Sequence, residues 1–321
     1  MTAFLDRRRA RLDGLAGLPL TPDDGPAEPV EGGVGLTAGA VRRLARNPVA
    51  VTGAVIIGAF VILAVLAPWL APHDPTVSMD ALKADLRADS IPGPQPGFPL
   101  GSDELGRDLL SRLMVGARQS LLVGVLATLI GLIVGMAIGG IAGAVGGWVD
   151  TLLMRMTDVL LSIPSLLLAI SIAALAARPS QWTVIIAVSV VTVPVFARLL
   201  RGSMLAQRHS DHVLAATALG VRRRAIVFRH LLPNSVGPVI VQATLTLATA
   251  ILDAAALSFL GLGDPDPARA EWGLMLGNAQ RYLDVRPELA FYPAIAIIVV
   301  ALGFTLLGEA MRDALDPRSR R

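Results

Sequence analysis

Four histidines and one acidic cluster are the residues here whose types could hold a metal or move a proton. His73, His209, His212 and His230 include no His-x-x-x-His pair, and surface or interface roles are expected for them. Asp103, Glu104 and Asp108 lie close together but lack the spacing of a calcium loop. They are expected to be solvated and to cap the amphipathic stretch Leu109–Val115. No metal site is expected. The chain has no cysteine, which excludes disulfides, thiolate catalysis and cysteine-ligated metals. No Gly-x-Ser-x-Gly elbow and no His-Glu-x-x-His helix is present, so no catalytic residue is assigned. No Gly-Lys-Ser/Thr exists either, so any ATP used with this chain is bound by another. Asp253 stands apart, because it falls inside a long apolar run. A carboxylate there costs about 2.5–3.5 kcal/mol on insertion scales, so it is expected to face a translocation path or a partner chain.

The most informative stretch is polar and arginine-rich. Residues 211–234 run from Asp211 through Leu214-Ala215-Ala216 and Gly220 to Arg222-Arg223-Arg224, His230, Pro233 and Asn234. The spacing predicts two short helices, with Gly220 as a left-handed stop between them. Val221, Ala225, Phe228 and Leu232 would form an apolar stripe on the second. Pro233 disfavours helix at Leu232, and Asn234 or Ser235 would cap the next span. Ala215, Ala216 and Ala218 are small enough for a partner surface to close over the first helix.

The elements around this module are membrane spans. Of 321 residues, 54% are hydrophobic and 17% charged, and the mean hydropathy is +0.63. A helix crosses a bilayer with about 20 apolar residues. Six stretches qualify: 49–70, 121–145, 157–177, 182–200, 236–260 and 290–308. Pro164 and Pro194 lie inside two of them, which membrane helices tolerate. Six spans put both termini on one side. Of the 28 basic residues, 19 fall on that side and 9 on the other, so the positive-inside rule places both ends in the cytosol. The pI of about 10.1 is then mainly a topology signal, not a nucleic-acid one. The organisation is a cytosolic tail 1–48, a six-span domain 49–310 and a short tail 311–321. Loop 71–118 and loop 261–289 are external, and loop 201–235 is cytosolic. Residues 14–40 lack periodicity and read as unstructured, with a basic amphipathic helix possible over Ala40–Asn47. Gly131, Gly135, Gly139, Gly143 and Gly147 repeat every fourth residue, a smooth stripe for close helix packing within this chain or with another.

Leu214-Ala215-Ala216-x-x-x-Gly220 followed by Leu232-Pro233 resembles the cytosolic loop of permease subunits of bacterial ABC importers. In that family the loop reads Glu-Ala-Ala-x-x-x-Gly and forms a coupling helix seated in a cleft of the ATPase; Leu214 replaces the Glu. The resemblance runs from Arg42 to the C-terminus and is closest to the C-type permeases of dipeptide, oligopeptide and nickel importers. Its segments are His73-Asp74-Pro75, Leu100-Gly101-Ser102-Asp103-Glu104-Leu105-Gly106-Arg107-Asp108, Gly146-Gly147-Trp148-Val149-Asp150, Leu257-Ser258-Phe259-Leu260-Gly261-Leu262-Gly263 and Glu271-Trp272-Gly273. It implies an all-α, polytopic, type I importer permease fold in the bacterial cytoplasmic membrane. It also implies a homologous B-type permease, two ATP-binding subunits carrying ATP and Mg, and an extracellular or periplasmic binding protein. Leu214, Ala215, Ala216, Gly220, His230, Pro233 and Asn234 would form the ATPase-coupling surface. Peptide uptake is the expected function. Nickel or chelate uptake is the alternative within the family, and an ion-coupled secondary transporter the alternative outside it.

Overall fold

The computed structural model describes residues 36–87 and 90–315. Most of the stretch read as an unstructured tail, and Arg318, Arg320 and Arg321, lie outside the described residues. Helix α1 spans Leu36–Arg46. It begins inside the stretch read as lacking periodicity and ahead of the Ala40 start expected for a basic helix. Asn47 then caps α2, Pro48–Leu70: its Oδ1 accepts from the amide of Val49 at 2.9 Å, and Pro48 fills the first turn, where no amide partner is needed.

A short helix α3, Asp80–Lys83, leads to α4, Leu109–Val145. The span expected at 121–145 is thus the distal part of a longer helix. Asp108 starts it by accepting from the amide of Ser111 at 3.1 Å. Its first turns are buried in loops, with Leu109, Ser111, Arg112 and Ala117 inaccessible. At 37 residues α4 is about 55 Å long. Gly146 and Gly147, at φ 71° and 61°, turn the chain into α5, Gly147–Ser162. Helix α6 follows, Ser165–Ala174, bent 93° from α5. The single span expected over 157–177 is therefore broken. Pro164 lacks an amide hydrogen and drives Ile163 to an extended backbone, φ −92° and ψ 132°. Pro194 has no such effect: α7 runs unbroken from Gln181 to Gln207.

Next come α8 (Asp211–Ala218), α9 (Arg223–Ile226), a π turn (Val227–Leu231) and α10 (Leu232–Phe259). Helix α11 (Trp272–Ala279), a 3-10 turn (Gln280–Tyr282) and α12 (Glu288–Leu315) complete the chain. Helix α12 continues past residue 310, where a tail was expected. Five helical stretches are long and apolar enough to cross a membrane, and the bent pair α5–α6 makes a sixth.

The glycine stripe of α4 meets α7 of the same chain. A Cβ on Gly135 would lie 2.6 Å from the Val193 carbonyl and from Phe196 Cβ, and one on Gly131, Gly139 or Gly143 would crowd Thr192, Ala197 or Met204. Gly147 is not part of that contact; it belongs to the turn. At the other side of the bundle a Cβ on Gly53 of α2 would lie 2.8 Å from the Gly303 carbonyl of α12. Helix α10 packs between α7, α4 and α12. One apolar core gathers around Trp272, which is fully buried with Phe60 edge-on at 5.8 Å. A second joins α4, α6, α7 and α10, and a third lies under the module, around Phe196, Leu200 and Met204.

Candidate functional site

The module begins where α7 ends. Val213 turns the inner face of α8 onto the third core, beside Leu231 and Val239, and Ala216 on the same face is buried. Leu214, Ala215, Ala218 and Leu219 face outward, with Leu219 83% exposed. Ala216 therefore does not present itself to a partner; it lets α8 lie close to its own bundle. Gly220 stops the helix at φ 73°. Its amide donates to the Thr217 carbonyl at 3.0 Å, and that of Val221 to the Ala216 carbonyl at 3.1 Å. These are the two bonds of a Schellman stop, which satisfies carbonyls the helix end would orphan.

Beyond Gly220 the structure departs from the expected pattern. No helix ends at Leu232: α9, the π turn and α10 are one continuous helical path from Arg223 to Phe259. Pro233 falls in the first turn of α10, and the wide i→i+5 turn before it accommodates the missing amide. The π turn also rotates the register. Ile226, Val227 and Leu231 reach the core, while Phe228, expected on the buried stripe, is 68% exposed. Asn234 and Ser235 cap nothing. Asn234 Nδ2 donates to the His230 carbonyl at 2.7 Å and lies 3.2 Å from His212 Nε2; Ser235 Oγ donates to the Leu231 carbonyl at 2.8 Å. His212 and His230 are 6.2 Å apart, ring to ring. Asn234 thus ties α8 to the π turn, a role its spacing in sequence did not reveal. Arg223 Nη2 donates to the last carbonyls of α4, Ala144 and Val145, at 2.7 and 2.9 Å.

At the opposite end of α4 the loops form a cap. The acidic cluster there is buried, not solvated. Asp103 accepts from Arg107 Nε at 2.7 Å and lies 3.1 Å from Arg112 Nε. The same carboxylate takes the amides of Leu105 and Arg107, both at 2.9 Å. Arg112 donates to the carbonyls of Pro75 and Arg269, each at 3.0 Å, and Arg107 to that of Pro267. Asp108 does cap α4, and His73 Nδ1 lies 3.3 Å from it while stacking on Phe98 at 4.5 Å. Arg286 donates to the carbonyls of Leu100 at 2.7 Å and of Pro92. Burial and the nearby Asp103 charge raise the Glu104 carboxyl. Glu271 keeps some exposed surface, but its carboxyl is packed among neighbours, and burial pushes it up to about 7. Sequence reasoning missed this lattice. The signal was there: these arginines stand on the side that the positive-inside bias depletes.

Asp253 sits half-buried on α10. Ala250, Ala254 and Leu257 on the adjoining face pack with Ala169 and Ala173 of α6. Leu252, on its other side, is exposed. Asp150 and Asp158 differ, since they pair with Arg201 and Arg198 of α7. Among the described residues no three metal-ligating side chains converge.

Comparison with known proteins gives this architecture a family. Residues 131–321 match the family described as binding-protein-dependent transport system inner membrane component, and residues 35–92 the N-terminal TM domain of oligopeptide transport permease C. The dipeptide transport system permease protein DppC of Alkalihalophilus pseudofirmus is 39% identical over 88% of this chain and 90% of its own length. The probable D,D-dipeptide permease DdpC of Escherichia coli is 40% identical over 85% and 89%. The glutathione transport permease GsiD of Shigella flexneri is 43% identical over 86% and 89%. A chain of the MetNI methionine ABC transporter, in an inward-facing conformation, covers 65% of this chain and 98% of its own, with TM-score 0.54 and 17% identity, a likeness of fold. The chain is a multi-pass inner-membrane permease with the type I importer fold and belongs to the family of binding-protein-dependent transport system inner membrane components, in its C-type branch.

Proposed function

We propose that the chain forms half of the translocation path of an ABC importer for di- or oligopeptides. The other half is a homologous B-type permease, two ATPase subunits dock on the module, and a binding protein delivers substrate to the cap. The observation that carries this reading is α8. It is an exposed apolar helix between two spans, closed by a glycine stop and braced by Asn234 and Leu231. A loop that only joined two spans would need neither the stop nor the brace. Seated in an ATPase cleft, α8 passes nucleotide-driven closure to α7 and α10, and the spans rock as rigid bodies. The module then faces the cytosol, with both termini, in agreement with the arginine count. Peptide specificity is supported by the relatives, named for dipeptide, D,D-dipeptide and glutathione transport.

A cleft of about 570 Å³ between α7, α10 and α12 carries Ser203, Gln207, Gln242 and Arg312 on mainly apolar walls, and opens beside the module. The test is reconstitution. Vesicles containing this chain, its partner permease and the two ATPases should accumulate a dipeptide only with ATP and binding protein. Uptake driven by an ion gradient, with the ATPases left out, would sink the reading.

A further inference from the structure

A groove of about 630 Å³ opens between α4, α7 and the π turn. Met136, Gly140, Ile141 and Val145 of α4 form one wall, and Val227 and Phe228 another. From Met136 to Val145 the wall runs about 14 Å at the helical rise. That is close to half of a 30 Å hydrocarbon core, the depth of one leaflet. Its polar end is marked three ways. Helix α4 stops at Val145; Arg223 and Arg224 line the groove there; and Trp148, 76% exposed just beyond, is of the type enriched at headgroup level. Arg222, Arg223, Arg224 and Arg229 have no carboxylate partner among the described residues. Arg223 spends one nitrogen on the last carbonyls of α4 and leaves its other nitrogens free of bonds to the described residues.

We propose that this groove binds an anionic phospholipid, its acyl part along Met136–Val145 and its phosphodiester on Arg223 and Arg224. The occupant must be apolar along one leaflet and anionic at the end, which is the description of such a lipid. Basic pockets between spans take acidic headgroups for this reason. Phe228 and Val227 belong to the turn that braces α8, so the lipid steadies the module from its membrane side.

The chain lacks cysteine, so Ile141→Cys gives a single labelling site in it. The assembled transport complex, with cysteine-free partners, is labelled there with bimane. It is then placed in nanodiscs containing phosphatidylglycerol or phosphatidylcholine with brominated acyl chains. Phosphatidylglycerol should quench at a lower mole fraction, by about fivefold for each arginine engaged. Arg224→Gln, at an exposed side chain with no bond or ion pair among the described residues, should lower that preference about fivefold. The same probe at Ile298→Cys, exposed on α12, should show a ratio near one. Equal quenching by the two lipids at residue 141 would overturn the proposal. So would no quenching by either, since protein then fills the groove. A preference unchanged in the Arg223→Gln, Arg224→Gln double variant would overturn the headgroup assignment. Co-purification of the partner subunits with each variant guards against misfolding. Binding is read without transport, so the result is independent of substrate and of transport direction.

Discussion

The two ends of the bundle use arginine in opposite ways. At the cap, Arg107, Arg112 and Arg286 are 2%, 1% and 6% exposed, and each holds carbonyls or carboxylates from segments distant in sequence. At the module, Arg222, Arg223 and Arg224 are exposed and face no carboxylate among the described residues. The guanidinium's fixed fork of donors suits both uses. Buried, it fixes loops that have no secondary structure of their own. Exposed, it leaves a charged surface for something outside the chain. A span tolerates neither, so the arginines collect at the ends and their burial separates framework from contact surface.

Removing the cap's central acid should give the largest effect. Asp103→Ala leaves Arg107 and Arg112 buried without their shared carboxylate and frees two amides. Breaking one partner of a buried ion pair costs about 3–5 kcal/mol. Thermal unfolding of the detergent-solubilised complex should shift down by many degrees, or the chain should fail to assemble. A variant as stable as wild type would break the contrast, because the cap ions would then be as dispensable as surface ones.

Glu271 gives the cap a pH dependence. Its folded carboxyl is raised to about 7 from 4.5, so the folded state holds a proton that the unfolded chain releases. Between these values the unfolded state binds fewer protons and stability falls as pH rises. The slope is at most about 1.4 kcal/mol per pH unit for one group. Glu271→Gln should remove that slope. The difference in melting temperature between variant and wild type should therefore widen in the variant's favour from pH 5 to pH 7.5. A constant difference across that range would show the carboxyl to be ordinary.

How much of this was legible in the sequence depends on the same division. Spans, glycine stripe and the Gly220 stop were readable, because each rests on local spacing along one helix. The α5–α6 break was misjudged because Pro164 and Pro194 look alike in sequence. Pro194 is buried in α7, and its neighbours Val193, Phe196 and Ala197 pack on the glycines of α4, where the helix stays intact. The π turn was not readable either, and one extra residue in a turn moved Phe228 from core to surface. The cap lattice escaped because its partners, such as Arg112 with Arg269 or Arg286 with Leu100, are joined across more than 150 residues. No periodicity records such contacts.

At the module the expected effect on stability is smaller. A Cβ at Gly220 would meet nothing within 4 Å and the position is exposed, so the main cost of Gly220→Arg is the left-handed backbone, about 1–2 kcal/mol. The complex should form with a melting temperature lowered by a few degrees. On the coupling reading, ATP-driven uptake is nevertheless lost, because bulk and charge now stand at the end of the docking helix. Normal coupling of hydrolysis to uptake in that variant would remove α8 from the mechanism.

Asp253 should show the smallest change in stability and a selective change in function. It is only half-buried, and its carboxylate makes no hydrogen bond or ion pair among the described residues, so Asp253→Asn breaks no bond within this chain. Stability should shift by less than about 0.5 kcal/mol. A carboxylate in a span still carries a desolvation cost unless water or a cation reaches it. The exposed Leu252 beside it shows that this side of α10 is open in the single chain. If the side lines the path, the carboxylate meets the cationic amino terminus of a passing peptide. Asparagine keeps the shape and loses the charge. Uptake should then fall several-fold for peptides with a free amino terminus and little for amino-blocked ones. If Asp253 instead pairs with a cation of the second permease, all substrates suffer alike and the heterodimer dissociates more readily. Uptake of free and blocked peptides, measured beside heterodimer stability, separates the two, and normal values for all three would leave Asp253 with neither role.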